Sequence, residues 1–313
     1  MNTLQSATED FLAHCKYEKN LSEKTLKAYN TDLLQLKNFL TLTAHSQEIT
    51  VINKNYLREY LASIASLKPK SIKRKIATIK ALFNYLEFED KILINPFRKM
   101  RIKIKEPLIL PVVMDLQEVM KIFKAVYKYK NDINKQAGYT YLESVRNIAV
   151  LELLFSTGAR VSEIAGLKTE NINLFSGNII IKGKGNKERV IQICNKESIA
   201  ILKSYYSLFE TKIKLAGGYF LINRFNKNLS DQSIRNMVIK MARKAGLLKH
   251  ITPHIFRHSF ATLLLEKDVD IKYIQSLLGH SSINTTQIYT HVNRKRQRHL
   301  LNTKHPRRDF SMI

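Results

Sequence analysis

Two stretches in the first hundred residues repeat apolar side chains at helical spacing. Leu26, Tyr29, Leu33, Leu36, Phe39 and Leu40 recur three and four apart, behind Ser22, a side chain suited to cap a helix. Ile72, Ile76, Ile79, Leu82, Phe83 and Leu86 form a second stripe, opened by Pro69, which suits the first helical position. A shorter helical pattern, "NKNYLREYLASIASL", lies between them. Next comes "NPFRKMRIKIKEPLILPVVMD", where Pro96, Pro107 and Pro111 interrupt any helix and predict an extended segment. Beyond it, "LESVRNIAVLELLFSTG" predicts a helix stopped by Gly158, and "ARVSEIAGL" opens another. "SGNIIIKGKGNKERVIQIC" alternates β-branched residues around a glycine-rich polar tip, the pattern of a β-hairpin. "YKYKNDINKQAGYTY" reads as a surface loop, and everything after Lys196 reads as helical again.

These elements give a mainly α fold with a small β-hairpin or sheet, an α+β class in two domains. Residues 1–95 form a small helical domain, 96–111 a linker, and 112–313 a second domain ending in a tail, 292–313. All ten glycines lie in the second domain. The 313 residues carry 52 Lys and Arg against 26 Asp and Glu, a formal charge of +26, so the partner expected is a polyanion, with nucleic acid the commonest. Both domains share the surplus. Lys70, Lys73, Arg74 and Lys80 flank the apolar stripe of the second helix, and Arg98, Lys99, Arg101, Lys103 and Lys105 charge the linker, which could track a phosphate backbone.

Cys15 and Cys194 lie too far apart in sequence to build a disulfide framework or a zinc knuckle, which fits a reducing cytoplasm. The polar amino-terminal stretch is no signal peptide, and the longest apolar runs are too short to span a bilayer. No membrane partner is expected.

Four constellations could carry chemistry. In "STGARVSE", Arg160 follows the glycine stop, and Glu163 could hold a cationic group; a surface ion pair is the plain alternative. In "IKGKGNKER", Lys184 sits at the hairpin tip, where it could enter a groove or simply protect a strand edge. In "ITPHIFRHSFATLLL", Thr252 can cap and Pro253 can open a helix, so His254 and Arg257 stand where an anion is favoured. Phe256, Phe260, Leu263 and Leu264 form the core-facing stripe behind them. Zinc held by His254 and His258 is a weaker alternative, without a third ligand in view, and His258 alone reads as a packing histidine. In "LLGHSSINTTQIYTHV", Gly279 ends a helix, His280 follows, and Ser281 or Ser282 can cap the helix that carries Tyr289. That segment could equally be a helix-turn-helix reading bases, with Tyr289 in the core.

Together these groups suit one substrate, a phosphodiester. Two guanidinium groups can fork onto its oxygens, histidines can move and donate protons, a lysine can protonate a leaving oxygen, and a phenol can form a covalent ester.

"LSEKTLKAYNTDLLQLKNFL", "TGARVSEIAGL", "GKGNKERVI", "HIFRHSFATLLL" and "LLGHSSINTTQIYTHV" occur in the order found in tyrosine recombinases of the phage-integrase and Xer type, and the chain resembles that family over nearly its whole length. The resemblance implies a C-shaped clamp around duplex DNA, with a helical, SAM-like core-binding domain and a catalytic domain. It implies Tyr289 as the nucleophile of a 3′-phosphotyrosyl intermediate, Arg160 and Arg257 as phosphate clamps, and Lys184 as general acid. His254 would handle the tyrosine proton, His280 would donate to the phosphate, and Glu163 would support the cluster. Lys70, Lys73, Arg74, Arg101 and Lys103 would contact DNA. Neither metal nor ATP is implied.

Members of that family work as tetramers on two synapsed DNA sites, as one recombinase or with a second one, and trade a carboxyl-terminal segment; an accessory excision factor is an open possibility. "VNRKRQRHLLNTKHPRRDFSMI" could be the traded segment, or its Arg294, Lys295, Arg296 and Arg298 could touch DNA. The expected location is the cytoplasm, on the nucleoid. The stretch around 127–141 reads as longer than in compact Xer members. The alternatives are type IB topoisomerase-like relaxation of DNA and a non-catalytic DNA-binding protein.

Overall fold

Leu4, Ala7, Phe11 and Cys15 put a buried stripe on a first helix, α1 (Leu4–Tyr17), which the polar amino-terminal sequence did not suggest. The computed structural model of the chain describes residues 3–106, 112–134, 138–183, 188–279 and 294–312; in the last segment the side chains are described from residue 299. The chain divides into two compact units, Met1–Ile109 and Leu110–Ile313.

In the first unit the Ser22 hydroxyl accepts from the Thr25 N–H and starts α2 (Glu23–Leu42). Asn53 caps α3 (Lys54–Ser63), and Pro69 opens α4 (Pro69–Phe88). All six residues of the expected α4 stripe are buried, whereas on α2 only Leu33, Leu36 and Leu40 are fully so. Burial of this kind is worth about 1.5–3 kcal/mol per large apolar side chain. The core also holds a charge hub that periodicity does not show. Asp32 is fully buried and accepts from Arg74 at 2.6 Å, from Lys75 at 3.2 Å and from Thr78 at 3.1 Å.

The proline-rich segment is not extended from its start. Pro96–Lys99 form a 3-10 turn that buries Phe97, because the Asn95 side chain accepts from the Phe97 N–H. Met100 is extended, and beyond it Ile102 and Ile104 pack inward while Arg101, Lys103 and Lys105 are exposed.

The second unit is built around α6 (Tyr139–Thr157), buried on every side from Ser144 onward. A helix apolar all round belongs in a core. Around it pack α5 (Leu116–Asp132), α7 (Val161–Ala165), α8 (Lys196–Leu215), α9 (Asp231–Lys244) and α10 (Pro253–Leu265). The hairpin is present as β2 (Asn178–Lys182) and β3 (Glu188–Gln192), with Ile181 opposite Arg189. A two-residue β1 (Ile172–Asn173) adds a third antiparallel strand.

Two expectations change here. "YKYKND" continues α5 to Asp132, so the connection to α6 is short; the apolar side of α5, with Val119, Ile122, Phe123, Val126 and Tyr127, carries the helix through the polar sequence. Residues 216–230 are not helical: Gly217 and Gly218 take positive φ, and this stretch bridges back at Tyr219 to Lys168.

α11 (Ile271–Leu278) and α12 (Arg294–Lys304) complete the unit. The tail expected to be traded between subunits is seated on its own unit in this single chain. Arg307 is fully buried and bonds the equally buried Glu152, with Nη2 to Oε1 at 2.9 Å. His305 donates from Nε2 to the Ser156 carbonyl, 3.2 Å away, and its Nδ1 accepts from the Arg307 N–H at 2.9 Å. Burial pushes the His305 imidazole from its ordinary 6.5 down to about 4. The native state therefore holds this ring neutral. Its contribution is intact above pH 6.5 and is lost progressively as pH falls toward 4, where the loss amounts to about 3 kcal/mol. Protection factors of the α12 and 305–312 amides are expected to fall as pH drops across that window, and less so in His305→Asn; pH-independent protection would overturn this.

Candidate active site

Gly158 ends α6 with φ 57°, and the turn is tight for a second reason. A Cβ at this position would lie 2.5 Å from Cδ1 of Phe260 and 2.9 Å from Cδ2 of Leu278. The turn therefore brings α6, α10 and α11 together and presents Arg160 at the start of α7.

Glu163, on α7, is the hub of the cluster. Its carboxylate is 5% exposed and takes four donors. Oε2 accepts from the Arg160 N–H at 2.7 Å and from Arg189 Nη2 at 2.7 Å; Oε1 accepts from Arg160 Nη1 at 2.9 Å and from Arg189 Nη1 at 3.1 Å. Burial pushes this carboxyl up, but the hydrogen bonds and positive charges of Arg189 and Arg160 win, and it is held below the usual glutamate value. Glu163 is thus an anion at neutral pH between two cations.

Arg257 is the third guanidinium, 6% exposed on the first turns of α10. It donates through Nη1 to the Gly158 carbonyl at 2.9 Å and through Nη2 to the Leu278 carbonyl at 2.8 Å. Burial, then repulsion from Arg160, lowers it from 12.5 to about 10, with Glu163 opposing the shift. It stays charged at neutral pH, in a strongly positive field.

The carboxyl end of α11 lies among these cations. Leu277 O accepts from Arg189 Nε at 2.8 Å, Leu278 O from Arg257, and Gly279 O from Arg160 Nη2 at 3.1 Å. Three successive terminal carbonyls each take a different arginine. Such groups lack partners within their helix and carry its negative partial charge, so they offset the crowding of three cations.

His254 and His258 are both exposed on the outer face of α10, so His258 is no packing histidine. The stripe behind them, Phe256, Phe260, Leu263 and Leu264, is buried as expected. Thr252 makes no side-chain cap; Pro253 alone starts the helix. The His254 imidazole is lowered by partial desolvation and by Arg235, His258, Arg257 and Arg160 around it, which favours the neutral, proton-accepting form. Among the described residues no group of three metal-ligating side chains comes together.

The structure therefore brings together Arg160, Glu163, His254 and Arg257. Lys184, His280 and Tyr289 lie outside the described residues, although β2 and β3 flank the first and Gly279 immediately precedes the second. In the first unit Lys70, Arg101 and Lys103 are exposed; Lys73 and Arg74 are exposed but paired with Glu106 at 2.8 Å and Asp32 at 2.6 Å. Sequence reasoning missed Arg189 and Arg235. Arg189 was findable: it sits two residues before the inward-facing Ile191 on a strand, and alternation aims both the same way.

Residues 113–296 match the phage integrase family, and residues 8–90 match its N-terminal SAM-like domain. The chain belongs to the phage integrase family. It is a tyrosine recombinase, an enzyme that carries out site-specific recombination by breaking and rejoining DNA. It is 46% identical over 311 residues to a tyrosine recombinase of Agathobacter rectalis, covering 99% of both chains. It is 36% identical to tyrosine recombinase XerC of Thermodesulfovibrio yellowstonii, covering 98% of each. Among solved structures, a lambda integrase fragment bound as a dimer to a core site superposes with a TM-score of 0.65 at 19% identity, over 90% of this chain and 96% of that one. The mainly helical recombinase fold, with its small sheet, is therefore shared.

Proposed function

We propose that this recombinase cuts duplex DNA through Tyr289, with the cluster around Glu163 as its phosphate-binding half. The observation that carries this is the convergence of Arg160 and Arg257, from separate helices, on one turn beside an accepting His254. In the forward step the Tyr289 oxygen attacks phosphorus and the bond to the 5′-oxygen breaks. The phenol proton passes to His254, and Lys184 supplies a proton to the departing 5′-oxygen, which leaves as a hydroxyl. Arg160, Arg257 and His280 hold the oxygens on which charge develops, the usual means of catalysing phosphoryl transfer. The 3′-phosphotyrosyl ester conserves the energy of the broken bond, so rejoining needs no ATP, and the residues assigned here need no metal.

The partner is a duplex recombination site. A tetramer on two synapsed sites suits the reaction, built from this chain alone or with a second recombinase, in the cytoplasm. Solved relatives bear on this: a lambda integrase structure is a tetramer bound to a Holliday junction.

The test uses a pool of nicked suicide duplexes with randomised sequence. Wild-type protein should become covalently attached to the 3′ end of a recurring sequence, and peptide mapping should place the link at Tyr289. Attachment at another residue, or relaxation of any supercoiled plasmid without sequence preference, would overturn the reading.

A further inference from the structure

We propose that Arg189 is a positioning residue for this reaction, and the inference rests on the site assignment above. Its guanidinium ties together three segments that each deliver a reacting group. It is carried by β3, one arm of the hairpin whose tip holds Lys184. It grips both oxygens of Glu163, which in turn holds Arg160 through main chain and side chain. Its third donor, Nε, fixes the Leu277 carbonyl at the end of α11, two residues before Gly279 and three before His280.

Arg189 has no room to wander. Its side chain is 14% exposed, and a Cβ on Gly279 would meet its Nη1 at 3.0 Å. All three nitrogens of the planar fork are used, two on a carboxylate and one on a carbonyl in a different direction. A lysine ammonium offers one point charge and cannot span both partners. With all three nitrogens spanning Glu163 and α11, Arg189 acts through Arg160, the hairpin and the α11 terminus.

The physical consequence is alignment. Reacting groups displaced by about 1 Å lose on the order of a hundredfold in rate. Loss of Arg189 frees Glu163 to swing toward Arg160 alone and releases the end of α11, so the phosphate clamp and the His280 segment lose their common reference.

The experiment compares wild type, Arg189→Gln and Arg189→Lys by single-turnover cleavage of the nicked duplex recovered above, at saturating protein, with DNA affinity and thermal unfolding measured alongside. Arg189→Gln is expected to cleave on the order of a hundredfold more slowly, with affinity changed less than about threefold, and Arg189→Lys to recover only part of the rate. The deficit should shrink when the scissile phosphate is replaced by a neutral methylphosphonate, which leaves less anionic charge for aligned guanidinium groups to hold. Adding Glu163→Gln to Arg189→Gln should cost little beyond the worse single variant, because both break the same tie. Cleavage by Arg189→Gln at the wild-type rate would overturn the proposal alone. So would an equal deficit on both substrates that merely follows lost folding. A wild-type protein that forms no adduct would overturn the site assignment, and this inference with it.

Discussion

Tyr289→Phe protein is expected to bind its DNA site as tightly as wild type and to form no covalent adduct at all. A phenol ordinarily titrates near pH 10, so at neutral pH it attacks only where a base takes its proton and positive charge steadies the developing anion. On the proposed reading the second unit supplies both: a neutral-leaning His254 and a field from Arg160, Arg257, Arg189 and Arg235. Phenylalanine keeps the ring and removes only the hydroxyl. Denaturing gels of the suicide duplex give the adduct yield, and a filter or shift assay gives the affinity. The same adduct persisting in Tyr289→Phe would remove the nucleophile from the account.

Arg257→Ala is expected to slow cleavage by about a thousandfold or more, the scale on which single charge-stabilising groups act in phosphoryl transfer. The cost has a second part. Arg257 is the donor to the carbonyls of Gly158 and Leu278, and its removal opens a buried gap at the junction of α6, α10 and α11. Each carbonyl left without a donor costs about 1–3 kcal/mol, partly relieved by the end of repulsion with Arg160. Arg257→Lys restores charge but not the fork, so it should regain stability sooner than rate. Single-turnover cleavage and thermal unfolding separate the two parts. Arg257→Ala cleaving within tenfold of wild type would show that this guanidinium does not clamp the reacting phosphate.

The parts of the fold legible in the sequence are those that periodicity and punctuation encode. The α4 stripe, the Ser22 cap, the Gly158 stop and the glycine-tipped hairpin all rest on local rules, and each is where those rules place it. α1 escapes such rules because its buried face is spread over a polar, charged stretch. The α5 extension escapes them for a related reason: lysines and tyrosines on its outer side hide Val126 and Tyr127 beneath. The buried pairs Asp32 with Lys75 and Glu152 with Arg307 are set by partners 43 and 155 residues away, and no local pattern carries that information.

The same division holds at the site. The motifs containing Arg160, Glu163, His254 and Arg257 are visible in the sequence, but their convergence is a property of the α6–α10–α11 junction. The support around them is not visible there. Strand alternation with Ile191 marks Arg189 as inward-facing, but its partners Glu163 and the Leu277 carbonyl lie 26 and 88 residues away and no local pattern names them. His258 looks like a core residue because it neighbours Phe256 and Phe260, but it lies two positions from each, about 200° of helical rotation, and so faces outward.

On the proposed reading of Arg160 and Arg257 as phosphate clamps, the three carbonyls that close α11 bear on how the enzyme discriminates among anions. Arg160 and Arg257 each give two of their five N–H donors to oxygen atoms of the chain itself. An arriving phosphate competes with those oxygens for the Nη donors, so a lone phosphate ion gains less than it would from guanidinium groups without such partners. A phosphate embedded in a duplex is held nearby by every other contact along the strand, at a high effective concentration, and makes the exchange as an intramolecular step. Selectivity for polymer over free ion is thus written into the end of one short helix.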